Sequence, residues 1–551
     1  MKFLFAPGAG WWLTAGLALA YPTVTTAVTN AQLERIKHVV VIYGEGRSFD
    51  HVYGLFPRAD GIKQAKPEST RQMDRDGKPL ATLPPILGGA RDVSQDNAVN
   101  LPNAPFQIND PKGFNQSLNV ATRDQEHQFY QHQMQLNDGK NDGFAAWSDV
   151  GALAMGYYDG SKLPMWEWAK QFTLADRFYM AAFGSSFLNH QWLICACTPT
   201  YPDAANSPAK DWIAAVAEDG KSLQVVSGLG SALIEKPRFV RDGALTPDGF
   251  AVNALKPPYP LSSAVSTADG NVQITDSQDG RTLPPQTQLT IGDRLSQKNI
   301  SWAWYAGGWQ RAHTDGTAIE SDLPPRLQAH HQPFNYYANY APGTAARAVH
   351  LKDGEAFLQD IEQGTLPVVS FYKPQRELTQ HPGNVDVLSG DQHIADIVAK
   401  LIRGPQWKDM LIVVTYDGGG GFWDHVSPPK ADRWGPGGRI PAIIISPYAR
   451  RNYVDSTPYD TTSILWFLSR RFDLEPLPGM VQRQQALKVN GLPEMGDLVS
   501  ALSPENLATR QGYGGRRNRA EMTGDAAKPK KGAKQGKSGG KAKNSRGKKR
   551  R

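Results

Sequence analysis

Four short stretches of the chain are apolar almost without a break: "HVVVIY" (38–43), "LPVVSFY" (366–372), "MLIVVTYD" (410–417) and "IPAIIISP" (440–447). Runs this short, rich in Val and Ile and without alternation, predict strands covered on both faces of a sheet. Between them the period changes. In "GDQHIADIVAKLIRG" (390–404), Ile394, Ile397, Val398, Leu401 and Ile402 recur at three- and four-residue steps and predict a helix with one buried face. "DTTSILWFLSRRF" (460–472) opens on helix-capping Asp and Thr and continues apolar on one side. Strands alternating with helices predict an α/β fold, a central, mostly parallel sheet flanked by helices. Residues 200–290, rich in Pro, Gly, Ser and Asp, read as a loop-rich insertion.

The two ends differ from this body. Residues 1–20 carry Lys2, an apolar stretch "WWLTAGLALA" and a closing Ala18-Leu19-Ala20, and read as a secretory signal. That stretch is shorter than the roughly 20 apolar residues of a membrane span. A periplasmic or secreted protein with no transmembrane span is expected. Residues 21–35 read as a polar lead-in and 36–505 as the folded domain.

The tail, 512–551, has too few apolar residues to offset the entropy of ordering and reads as disordered. It also dominates the charge. The chain's formal net charge is +7, but residues 516–551 hold 15 Lys or Arg against Glu521 and Asp525, so the remainder is at −6. Such a tail suits contact with anionic surfaces such as phospholipid headgroups, and no motif for specific nucleic-acid recognition accompanies it. The only cysteines, Cys195 and Cys197, flank a single alanine. Within a strand or helix they read as small buried hydrophobes, with no disulfide framework.

In a parallel sheet, ligands gather beyond the carboxyl ends of the strands. The first apolar run leads directly into "GEGRSFDH" (44–51), and the third ends on Asp417. Glu45 and Asp417 delivered to one sheet edge would make a hard-cation site. "AFGSSFLNHQW" (182–192) offers serines at a Gly-marked turn, with Asn189 and His190 beyond. "AHHQPFNYYANY" (329–340) offers His330 and His331, and "ELTQHPGNVD" (377–386) offers His381 in the extended conformation that precedes proline.

Six collinear segments decide among these readings. They are "IKHVVVIYGEGRSFDHVYGLFP", "DQEHQFYQHQMQLNDGKNDGF", "AFGSSFLNHQWLICA", "HHQPFNYYANYAPGTAARAVHLKD", "VVTYDGGGGFWDHVSPP" and "GPGGRIPAIIISPYAR". Together they resemble the bacterial phosphoesterase family, which unites phospholipases C with secreted acid phosphatases inside the alkaline phosphatase-like superfamily. "GSSFLNH" and "HHQPFNYYANYAPGTAAR" resemble the acid phosphatase branch, whereas phospholipase C members usually carry Thr at the first position.

The resemblance implies an alkaline phosphatase-like fold, with Ser186 as nucleophile sharing one divalent metal with Glu45 and Asp417; the oxygen ligands favour Mg²⁺ or Ca²⁺. It implies phosphoryl contacts from Asn189, active-site roles for His127, His330, His331 and His381, and membership of the signature for Asp424, as a metal ligand, and His425, on the substrate side. A protonated histidine donating to the leaving oxygen would favour weakly acidic conditions, because free His titrates near pH ~6.5. The chain departs from the pattern at Gly46, where the family has Asn, and at Gly418, where it has an acid. The expected activity is hydrolysis of phosphomonoesters through a phosphoserine. Phospholipase C action on phospholipid diesters is the alternative, and a weakly active or noncatalytic phosphoester-binding protein is the other.

Overall fold

The computed structural model describes residues 28–86, 99–260, 279–314 and 324–508. The signal-like stretch at 1–20 and the basic tail lie outside the described residues. At the centre is an eight-stranded sheet. Its strands in chain order are β1 (His38–Gly44), β2 (Thr173–Ala175), β3 (Trp302–Ala306), β4 (Leu351–Asp353), β5 (Val369–Lys373), β6 (Met410–Tyr416), β7 (Ala442–Ile445) and β8 (Tyr453–Asp455). The spatial order is β8-β2-β7-β6-β1-β5-β3-β4. All pairings are parallel except those of β7, which runs antiparallel to both β2 and β6.

The four predicted strands are present and form the middle of the sheet with β3. Val39, Val40, Val41 and Ile42 have no exposed surface, as expected of a strand covered on both faces. The flanking strands β2, β4 and β8 escape a periodicity argument because each has three residues. The two predicted helices form at Val387–Arg403, capped by the Asp386 side chain, and at Thr462–Phe472.

Three sequence expectations change. The described part of the polar lead-in is packed on the core: Thr29 caps a helix at Asn30–Leu33, Leu33 and Ile36 are fully buried, and Arg471 donates to the Ile36 carbonyl at 2.7 Å. The described part of the 200–290 insertion has little regular structure, yet Leu223, Leu245, Val252, Leu255 and Leu283 anchor it in the main core. Cys195 and Cys197 are disulfide-bonded. They do not share one element. The helix Ser186–Cys195 stops at Cys195, Ala196 adopts the left-handed conformation, and the turn brings the two Cα atoms to 5.1 Å, within ordinary bridging distance. Among the described residues, no helix is long and apolar enough to cross a membrane.

Candidate active site

Register brings three charged side chains to one point on the sheet edge. Gly44 pairs with Tyr416 across β1 and β6, so Glu45 and Asp417 are the next residue of each chain. Ile42 pairs with Tyr372 across β1 and β5, so Lys373, the last residue of β5, stands level with Tyr43, and its long side chain reaches the two carboxylates. Its Nζ lies 3.4 Å from Glu45 Oε1 and 3.3 Å from Asp417 Oδ2, and all three side chains are fully buried. Lys373 was missed by the sequence reading. Its signal was present as a lysine closing the buried run "VVSFYK" at the ligand-binding edge of a parallel sheet.

Two histidines cover Glu45 from the turn Ala329–His331. His331 Nε2 is 2.8 Å from Glu45 Oε1 and His330 Nε2 is 3.7 Å from it. Burial works against the Glu45 charge, but His331 and Lys373 outweigh it and hold the carboxyl well below its usual range. Asp417 goes the other way. Burial raises it, Lys373 opposes, and the Glu45 charge adds to the rise. His331 is pushed down to about 3 by burial, against the pull of Glu45, and is therefore a neutral imidazole near pH 7 that donates its Nε2–H to that carboxylate. Burial likewise holds His190 well below its ordinary value. The expected protonated histidine is neither of these two, because a charge on either would be stranded away from water.

Ser186 comes from the facing wall. It is the first residue of the helix Ser186–Cys195, nearly buried, one turn before His190. His190 Nδ1 donates to the Ser186 carbonyl at 2.7 Å and lies 3.7 Å from Asp417 Oδ2, beyond hydrogen-bonding distance, so the start of this helix stands beside the sheet edge. The loop before it is held tightly. Gly184 has φ +91°, and a Cβ there would meet the Phe129 backbone at 2.6 Å. Its N–H donates to His132 Nδ1 at 3.0 Å. Asn189 does not face the cleft with a free amide. Its Oδ1 accepts from the Ala182 N–H at 2.9 Å, and its Nδ2 donates to the carbonyls of Ala182 and Ser185. The side chain expected on the phosphoryl oxygens braces the serine loop instead.

The polar run after Glu45 has one task per residue. Arg47 donates to the Gln380 carbonyl at 2.6 and 3.0 Å and so fixes the segment carrying His381. Ser48 caps the short helix Phe49–Tyr53 and donates to the Trp423 carbonyl. His51 binds Arg47 through Nε2 and the Gly156 carbonyl through Nδ1. His381 and His127 approach each other, with ring centres 6.4 Å apart, and His381 Cδ2 lies 3.7 Å from where a Cβ on Gly46 would stand. Gly46 itself has φ +70°, and that Cβ would meet the Pro382 ring at 2.7 Å, so the segment leaves no room there for an Asn donor.

Asp424 and His425 are taken elsewhere. Arg439 Nε donates to Asp424 Oδ1 at 2.8 Å and its Nη2 to Asp50 Oδ1 at 3.2 Å, while His425 Nδ1 sits 2.6 Å from Asp50 Oδ2. Asp424 Oδ2 accepts from the Asp50 N–H.

Among the described residues, two groups have donor atoms within 4.8 Å of one another, the spacing of cation ligands: Glu45 with His330 and His331, and Asp50 with Asp424 and His425. In the second, Arg439 already supplies the positive charge. In the first, His331 offers Glu45 a hydrogen rather than a lone pair, and the place between Glu45 and Asp417 is occupied by the Lys373 ammonium. A divalent ion ~4 Å from that ammonium would be repelled by ~8 kcal/mol at an effective dielectric of ~20. The residues as arranged do not fit a hard divalent ion between the two carboxylates.

Four buried atoms of the cluster have no partner: Glu45 Oε2, His190 Nε2, His330 Nε2 and His331 Nδ1. Buried polar atoms are nearly always satisfied, so these four are open to water or to a ligand. Beside the serine loop runs a groove of about 670 Å³, lined by apolar Phe129, Met134 and Phe183 and by charged Lys140, Lys221 and Arg433.

Comparison with known proteins follows the same lines. The model of the "Phosphoesterase family" matches residues 36–475. "Non-hemolytic phospholipase C" of Burkholderia pseudomallei is 23% identical over 83% of this chain and 59% of its own length. The chain thus spans about three-fifths of that relative. "Phospholipase C A" of Mycobacterium tuberculosis is 23% identical over 86% of this chain and 78% of that protein. Among solved structures, a Vibrio parahaemolyticus protein of the alkaline phosphatase superfamily aligns over 71% of this chain and 74% of its own, at 10% identity and a TM-score of 0.30.

Proposed function

From the premise that this chain belongs to the Phosphoesterase family, we propose that the cleft hydrolyses phosphoric esters through Ser186, with phospholipid diesters as the substrate class. The observation that carries this reading is the position of Ser186. It is an alcohol on the first turn of a buried helix, and His190, one turn on, stands beside a sheet edge bearing Glu45, Lys373 and Asp417. The backbone N–H groups of that turn suit phosphoryl oxygens. Phosphoryl transfer needs positioning and stabilisation of charge on the equatorial oxygens more than it needs covalent chemistry.

In this reading the Ser186 hydroxyl gives up its proton as its oxygen bonds to phosphorus, and the departing ester oxygen takes a proton up. Water then cleaves the serine–phosphorus bond and restores the hydroxyl. His127 and His381 flank the cleft near Gly46 and serve the substrate side.

The diester preference rests on the names of the two relatives; the groove that begins at Phe183, three residues before Ser186, has both apolar and charged walls and a volume large enough for a lipid headgroup with its glycerol. Phosphomonoesterase action is the second reading, favoured by the serine in "GSSFLNH". Export from the cytoplasm belongs to the same proposal. A disulfide at Cys195–Cys197 suits an oxidising compartment.

The test is an assay of purified protein on phosphatidylcholine, following diacylglycerol, beside p-nitrophenyl phosphate, with acid-quench trapping of the serine adduct, a phosphocholine diester from the lipid or phosphoserine from the monoester. Diacylglycerol release with label on Ser186 is expected. Activity on the monoester alone transfers the proposal to the phosphatase reading, and binding of phosphoesters without turnover of either leaves the noncatalytic one.

A further inference from the structure

Lys373 occupies a seat built for an ammonium. An ammonium has three N–H donors and no acceptor. Three oxygens surround this one: Asp417 Oδ2 at 3.3 Å, Glu45 Oε1 at 3.4 Å and the Gly44 carbonyl at 3.4 Å. The fourth side is the Tyr43 ring, whose centre is 5.4 Å from Nζ, and the Tyr43 hydroxyl in turn donates to the Asn189 carbonyl on the serine helix. Every one of these side chains is buried.

An isolated ammonium in such a place would lose its charge or disrupt the fold, and two unpaired carboxylates would do the same. Each is tolerated because of the other. The residues that follow the two carboxylates are Gly46 and Gly418, so neither adds a side-chain oxygen that could complete a cation's coordination shell.

We propose that Lys373 is a built-in cation. Its ammonium supplies, at the carboxyl edge of this sheet, the positive charge that joins Glu45 to Asp417, and the site is assembled without a divalent ion. It concerns the cleft of the proposed phosphoesterase but rests on side-chain geometry, not on which ester is cleaved. One consequence is chemical. A single positive charge, fixed to the chain, organises the two carboxylates at all ion concentrations, so chelators leave the site intact.

The experiment uses the full chain, purified without chelator. Elemental analysis should find no stoichiometric divalent ion, and EDTA should leave the melting temperature unchanged. Titration calorimetry with Mg²⁺, Ca²⁺, Mn²⁺ and Zn²⁺ should show no tight site in the wild type. Lys373→Met exposes the carboxylate pair and should gain affinity for at least one of these ions by ~10-fold or more. Where Lys373→Met folds poorly, Lys373→Met with Asp417→Asn removes one charge of each sign and should recover most of the lost stability.

One tightly held divalent ion per wild-type chain, with a drop in melting temperature on its removal, overturns the proposal. So does a folded Lys373→Met protein that binds no ion better than the wild type. None of these readouts requires turnover, so a protein inactive on every ester would still decide this point.

Discussion

Two buried charge clusters lie close together in sequence and in space, and they are built from the same parts. One is Glu45, Asp417, Lys373 and the histidines 190, 330 and 331; the other is Asp50, Asp424, Arg439 and His425. They differ in completeness. In the second, both oxygens of Asp50 and both of Asp424 accept hydrogen bonds, and Arg439 spends its remaining donors on the carbonyls of Asp60 and Asp176. Nothing is left over for a ligand. In the first, one carboxylate oxygen and three imidazole nitrogens have no partner. A saturated ionic network holds a fold together, and an unsaturated one has bonding capacity to offer. By that criterion Asp424 and His425 are structural, although both lie in the stretch that resembles a family signature.

The sharpest test of this contrast removes the Ser186 hydroxyl, one helical turn before His190 of the open cluster. Ser186→Ala should lower turnover on the order of 10⁴-fold or more, with an unchanged unfolding midpoint. A residual rate near that of the wild type in a clean preparation would remove Ser186 from the mechanism. The closed cluster should respond in the opposite way. Arg439→Met strands two buried carboxylates and should cost about 3–5 kcal/mol in urea unfolding, with partial recovery when Asp424→Asn is added. Loss of activity without loss of stability in that variant would erase the distinction.

Smaller effects probe the serine loop that borders the open cluster. Gly184→Ala demands φ +91° of a residue whose Cβ would press on the Phe129 backbone. It should cost about 2–3 kcal/mol and lower kcat more than it raises KM, because the displaced segment carries the nucleophile. Thermal melts and steady-state kinetics on one preparation read both.

The smallest effect is set by pH. Burial pushes His132 down to about 3, whereas an unfolded histidine titrates near ~6.5. Between those values the unfolded chain binds the additional proton, so stability is present above ~6.5 and is lost as the pH falls toward 3. From pH 7 to 5.5 the loss is roughly 1 kcal/mol for this group. Protonation also competes with the hydrogen bond that His132 Nδ1 accepts from Gly184. His132→Gln should flatten that part of the pH–stability curve, and an unaltered slope would show that other groups set it.

The chain by itself determined the α/β fold, the central strands, the two long helices and the arrival of Glu45 and Asp417 at a sheet edge. These follow from local periodicity and from the rule that strand ends face the ligand. It also carried Ser186, His127, His330, His331 and His381, whose segments are contiguous and similar to a known family. Tertiary structure alone decided the rest. Lys373 became part of the site because β5 lies beside β1 in register. Asn189 was drawn to the Ala182 backbone, and Asp424 and His425 to Arg439, because buried hydrogen-bonding groups take the nearest complementary partner. The disulfide formed because a helix ended one residue sooner than an unbroken element would allow. Such outcomes depend on which distant groups meet away from water, and no spacing along the chain encodes that meeting.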